Sequence, residues 1–267
     1  MPHADSPRVL PSLARILAFW GAALLILFLV SFVRGFVPPI LGPLVWGLGA
    51  SLPLLGLIRG FLRADHRPPT DVGLGWAPGT PVRALAGLGL GLLTYAGTLT
   101  VTAAVLGPIT LTPSAASAPG AALVAVLGLA AVTVMEELAF RSYSLWTALR
   151  ALGFWPAQLL VAVAFSLLHL AYGWPSSTVL LGVFPSGLLF GVAAAVSGGL
   201  ALPVGLHLGI NLGRWATGEG GGAGLWTLDT SALDPARAAS VAPYLGAAVP
   251  LLLALGLAAG HREHPAS

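Results

Sequence analysis

The sequence predicts an all-α fold, a polytopic transmembrane helix bundle of about eight spans, as a single integral membrane domain over residues 1–267. Three observations predict it. Hydrophobic residues make up 57% of the chain and charged residues only 8%, where soluble domains carry about 25%. Mean hydropathy is +0.90. Apolar runs of about 20 residues, the length that crosses a bilayer core, recur along the chain. So little charge cannot coat a globule in water, so lipid must solvate most of the surface.

The first run, 13–33, follows Arg8 and Arg15. It is longer than a secretory h-region, and no small-x-small cleavage site precedes Arg34, so it reads as a retained span. Pro38-Pro39 opens the second, 37–58, where a first-turn proline loses no hydrogen bond. A polar loop, Arg63 to Pro81, leads to the third, 83–106. An uncharged Pro/Ser/Thr-rich connection, 107–119, precedes the fourth, 120–149. Gly153 and Pro156 bracket the turn into the fifth, 156–173. The sixth and seventh are 177–196 and 199–216; the fifth to seventh are short or closely spaced, which admits a tilted or re-entrant segment among them. A loop from Gly218 leads to the last span, 240–260.

All twelve basic residues are arginines, giving a net charge of +3. They are scattered beside apolar spans, which argues against a nucleic-acid partner and for a role in topology. Arg8, Arg15, Arg59, Arg63, Arg67, Arg83, Arg150 and Arg262 fall on one side; Arg34, Arg214 and Arg237 fall on the other. That bias predicts a multi-pass plasma-membrane protein with both termini cytoplasmic. Trp146, Trp155, Trp174 and Trp215 fall at span ends, as an interfacial belt requires. With no cysteine, disulfides, thiolate metal sites and a Cys nucleophile are excluded. Gly87, Gly89 and Gly91 have no strand before them and read as helix packing, not a nucleotide loop.

The chemistry lies inside the spans. Glu136 and Glu137 stand side by side in the fourth, with Arg141 four residues after Glu137 and on its face. Each charge at mid-bilayer costs about 2.5–3.5 kcal/mol, and pairing Glu137 with Arg141 offsets much of that. Glu136, turned about 100° away, is left as a carboxyl in low dielectric, suited to accept a proton. His169 lies late in the fifth span. His207 and Asn211 share one face of the seventh. Gly205, Gly209 and Gly213 form a stripe on nearly the opposite face, where a neighbouring helix can approach closely. By helical rise, Glu136 lies roughly 20 Å from a helix end near Leu149, and all four polar side chains can meet in one layer. The set suggests peptide hydrolysis. Glu136 with His169 would activate a water; His207 and Asn211 would donate to an oxyanion. Ser142, Ser144 and Ser166 lack a partner base and read as helix residues. His66, His3, His261, His264, Asp229 and Asp234 read as loop or terminal residues in solvent.

In order, Glu136-Glu137-Leu138-Ala139-Phe140-Arg141, Phe165 to His169, and His207 to Asn211 match the pattern EExxxR, FxxxH and HxxxN. In these motifs the chain resembles the CPBP family, which unites type II CAAX prenyl endopeptidases with bacteriocin-processing and self-immunity proteins. The resemblance covers 136–211, within core helices 120–216, and implies a glutamate-type intramembrane protease. By motif match, Glu136 is the catalytic carboxylate and His169 assists the water. Glu137, Arg141 and Phe165 support, and His207 and Asn211 position the oxyanion or water. Zinc held by Glu136, His169 and His207 is an alternative; the metal-free mechanism ranks ahead because Asn211 suits an oxyanion better. The expected substrate is a membrane-anchored protein or peptide tail. Two other readings use the same residues: a non-catalytic scaffold or immunity protein, and a proton- or ion-coupled transporter. No inverted repeat supports the latter.

Overall fold

The computed structural model describes residues 9–114, 118–219 and 224–263; Arg8, His3 and His264 lie outside them. Helix dominates. In chain order the helices are α1 (Val9–Val33), α2 (Gly42–Ala64), α3 (Thr80–Leu106), α4 (Pro119–Arg141), α5 (Tyr143–Leu152) and α6 (Phe154–Ala171). A short α7 (Ser176–Thr178) runs through a π turn (Val179–Val183) into α8 (Phe184–Ser197), followed by α9 (Ala201–Ala216) and α10 (Pro235–Glu263). Seven helical segments among the described residues are long and apolar enough to cross a membrane. The expected seventh span, 199–216, is α9, whose 16 residues fall short of the usual 20 or so.

Lipid is the solvent for the outer surface. On α1, Leu17, Leu24, Leu25 and Phe28 are exposed while Ile16, Phe19, Ala23 and Leu27 are buried. One stripe therefore faces the bundle and the rest faces out. Phe19 packs against Phe61 of α2 and Tyr143 of α5, which anchors α1 to the core.

The glycine stripe does what its spacing predicts. A Cβ on Gly205 would collide with the Ala84 carbonyl, and one on Gly209 with that of Leu88. Reciprocally, Gly87 and Gly91 face the carbonyls of Leu202 and Leu206. Helices α3 and α9 thus meet backbone to backbone, the contact small residues permit in a membrane. Gly89 has no neighbour within 4 Å and belongs to the outer face. Helices α2 and α4 approach in the same way, Gly47 lying against the backbone of Ala131 and Val132.

Two expectations are corrected. The fourth span is not one helix, because the chain breaks at Ser142 (φ −87°, ψ −114°), which separates α4 from α5. The Ser142 hydroxyl donates back to the Leu138 carbonyl, a local bond that competes with the helix ladder. Glu136 therefore sits five residues, about 8 Å, from the end of its own helix instead of roughly 20 Å. Ser144 and Ser166 make similar bonds, to Phe140 and Ala162. The second correction concerns stretches read as loops. Thr110–Pro113 (β1) and Trp226–Asp229 (β2) pair as an antiparallel ribbon, with Thr110 opposite Asp229 and Pro113 opposite Trp226.

On the arginine-rich face, Arg15 pairs with Asp65 at 2.6 Å, and the Tyr143 hydroxyl donates to the same carboxylate. Arg67 donates to Thr147, and Arg150 to Asp71 at 2.7 Å. These contacts pin α5 to the 65–72 loop. The hydrogen bond from Arg150 holds the Asp71 carboxyl below its ordinary pKa. A depressed acid stabilises the fold above the unfolded carboxyl pKa and loses that contribution as pH falls through the folded value. Asp71→Asn should therefore flatten the loss of melting temperature on acidification below about pH 4. A wild-type acid limb in the variant would show that the pair does not contribute.

Candidate active site

The site forms where α4, α6, α8 and α9 converge. On α4 the last two turns are buried throughout, and Glu136, Glu137 and Arg141 are 6%, 0% and 0% exposed. Glu137 is the hub. Its Oε1 lies 3.3 Å from Arg141 Nη1 and accepts from His207 Nδ1 at 2.9 Å. Arg141 also donates to the Gly187 carbonyl of α8 at 3.2 Å. Its guanidinium lies 4.2 Å from the Phe165 ring centre, with Phe190 and Phe140 at 5.4 and 5.9 Å. A cation with no access to water is thus held by one carboxylate, one carbonyl and three ring faces.

His207 lies flat on Phe190, centroids 4.3 Å apart at 17°. A carboxylate only accepts, so the bond to Glu137 places a proton on Nδ1. Nε2 is then turned toward Glu136, whose Oε2 lies 3.6 Å away. One turn along α9, Asn211 Nδ2 reaches Thr133 Oγ1 at 3.4 Å, a long contact that leaves the amide free to donate elsewhere. Helix α9 thus presents glycines to α3 and its polar face to α4, as the two stripes predict.

His169 is placed differently. Its Nδ1 donates to the Phe165 carbonyl at 2.9 Å, so Nε2 carries the lone pair in the neutral ring. The ring packs edge-on against Phe165 and Trp174, at 4.5 and 5.0 Å. Phe165 also meets His207 at 6.0 Å, so it is the spacer between the two imidazoles. The structure therefore joins Glu136, Glu137, Arg141 and His207 in one cluster and Asn211 with Thr133 beside it. His169 adjoins them through an aromatic ring.

His169, His207 and Asn211 line one cavity of about 510 Å³ between α3, α6, α8, α9 and α10, closed in part by β2 and the residues after it. Glu136 is not part of that wall; its Oε2 lies 3.6 Å from His207 Nε2. Among the described residues, no three His, Asp or Glu side chains converge closely enough to hold a metal ion. The zinc set of Glu136, His169 and His207 is not assembled among them.

Sequence reasoning missed Phe190, Trp174 and Thr133. Phe190 carries no signal in an apolar run, and Trp174 is marked only as an interfacial residue. Thr133 does, lying three and four residues before the two glutamates and hence on their side of α4. Among the loop and terminal groups, His66, Asp229 and Asp234 are exposed as expected.

Residues 118–213 match the family model described as type II CAAX prenyl endopeptidase Rce1-like. No curated protein matches the chain. The matched stretch contains all three motifs, from Glu136 to Asn211, and agrees with the family resemblance carried by those motifs. That description names a family of endopeptidases, and the likeness lies in this stretch of the chain.

Proposed function

We propose that this chain, whose residues 118–213 form an Rce1-like domain, is an intramembrane endopeptidase that cleaves a membrane-anchored protein or peptide tail with a water activated by Glu136 and His169. Its catalytic core is 120–216 within one membrane domain, 1–267, and both termini are cytoplasmic.

The observation that carries the reading is the bond from His207 Nδ1 to Glu137, which turns Nε2 toward Glu136 beside an open cavity. One guanidinium faces two carboxylates there, so a proton on His207 makes the buried set neutral. In that state Glu136 is the free base. It takes a proton from a water that also donates to His169 Nε2, and the hydroxide adds to the scissile carbonyl. His207 Nε2–H and Asn211 Nδ2–H donate to the oxyanion. Protonated Glu136 then gives its proton to the leaving amine. Glu137 and Arg141 do not touch substrate; they fix the imidazole and balance its charge, and Phe165 spaces the two rings.

The experiment is a candidate-peptide cleavage assay in detergent, comparing wild type with Glu136→Gln and His169→Ala, each with and without a zinc chelator. Both variants should lose cleavage, by about 10²–10⁴-fold for the proton-transfer groups, with unchanged melting temperature. Chelator should leave the wild type active. Cleavage by Glu136→Gln at the wild-type rate removes the mechanism, and loss with chelator moves it to a metal. A protein whose cellular effect survives Glu136→Gln is a scaffold and not an enzyme.

A further inference from the structure

The cavity that meets His169, His207 and Asn211 opens toward one face of the bundle, and the arginines mark the other. Chain direction fixes this. Helices α3 and α9 run parallel, since Gly205 faces Ala84 and Gly213 faces Tyr95. The later half of each lines the cavity, from Thr94 to Thr102 and from His207 to Arg214. So do the end of α6, the π turn with the start of α8, and the first half of α10. The opposite ends of these helices make the far face. There Arg83 opens α3 and donates to the Ser197 carbonyl between α8 and α9, and the Leu200 amide donates to the Gly73 carbonyl. Arg15 pairs with Asp65 and Arg150 with Asp71 on that same face, and Arg59 and Arg63 fall in the last turns of α2. A second cavity, of about 300 Å³, opens there beside Arg83 and Trp76. Val134 and Leu138 form its α4 wall, and none of Glu136, Glu137, His169, His207 and Asn211 lines it. Between the glutamates and the arginines, Leu138, Phe140, Tyr143 and Leu145 are all buried.

The two faces differ in charge. The far one carries Arg15, Arg59, Arg63, Arg67, Arg83 and Arg150 against Asp65 and Asp71. The cavity face sets Arg34, Arg214 and Arg237 against Glu219, Asp229 and Asp234. Arginine-rich short loops stay in the cytoplasm, and acidic residues weigh little in that choice. We infer that the site takes its polypeptide from the non-cytoplasmic side of the membrane, and that its substrate is the outer juxtamembrane segment of a membrane-anchored protein. This rests on the endopeptidase reading and on cytoplasmic termini, and adds the side on which the bond is cut. The mouth suits a chain entering close to its anchor. Trp174 lines it, and Trp226 and Tyr244 lie next to lining residues of β2 and α10. All three are exposed, as aromatic side chains at the headgroup level are.

The test reads access and cleavage separately. The chain has no cysteine, so one introduced thiol reports one position. Full-length Ser177→Cys places it at the cavity mouth and Ala64→Cys on the arginine face, and both positions are exposed. A membrane-impermeant maleimide should label Ser177→Cys in intact cells, and Ala64→Cys in inverted vesicles but not in cells. The reverse pattern overturns the assignment, and so does equal labelling of both from one side. Cleavage is read in the same cells with a one-span reporter that carries a tag behind a short randomised juxtamembrane segment. One version places that segment outside and the other places it in the cytoplasm. Tag release should come from the outer version alone and be lost with Glu136→Gln. Release from the cytoplasmic version alone, or from both alike, overturns the assignment. Release from neither, with the thiols labelled as expected, sinks the endopeptidase reading and leaves the outward mouth standing.

Discussion

Arg141→Ala should cost about 3–5 kcal/mol of stability, the penalty for stranding a buried charge, and leave little folded protein in detergent. The side chain is wholly buried, pairs with Glu137, donates to the Gly187 carbonyl and faces the Phe165 ring. Without it, Glu137 and Glu136 face each other across His207 with one fewer positive charge in low dielectric. Lysine should recover part of the loss, because an ammonium can reach Glu137 but cannot span to Gly187 at the same time. The double variant Arg141→Met, Glu137→Gln should melt closer to wild type, since a pair removed together strands no charge. It should still lose cleavage, because the His207 ring would no longer be fixed by a carboxylate. Thermal melting and the cleavage rate, read on the same preparations, separate these effects. An Arg141→Ala protein that melts with the wild type would mean the cluster is solvated in a way this geometry does not allow.

Gly205→Leu should be the most damaging substitution outside the charged cluster, at about 3 kcal/mol, the upper end of the usual cost of overpacking. Its new side chain would meet the Ala84 carbonyl and Leu88 amide, which are backbone and cannot rotate aside. The two helices would have to separate, and with them the register that brings His207 to Glu137. Gly89→Leu is the matched control, because nothing lies within 4 Å of that position. It should shift stability by no more than about 0.5 kcal/mol, as surface changes usually do. Equal melting of the two variants would show that the seam is not close-packed in solution.

Much of the site is legible in the sequence because helical spacing is strict. Glu137 and Arg141 pair across one turn, His207 and Asn211 share a face, and the glycines occupy the opposite one, all as a period of 3.6 requires. What spacing cannot give is the contact between helices. Nothing in the residues around His207 says that its Nδ1 is held by Glu137, or that Phe190 lies flat against the ring. The break at Ser142 was hidden too, since neither proline nor glycine marks it and serine is common inside helices. The β ribbon escaped for another reason. Thr-Leu-Thr-Pro and Trp-Thr-Leu-Asp are four residues each, too short to show an alternation, and they pair across more than a hundred intervening positions.

The glycine seams tie the matched stretch to the helices before it. The stretch that matches the family model begins at residue 118, after α1, α2 and α3. Yet α9 leans its bare backbone on α3, and α4 leans on α2 at Gly47. The helices without the chemistry are thus buttresses for those that have it. Excising the kindred portion as a minimal enzyme would uncover two grooves shaped for backbones that are no longer there.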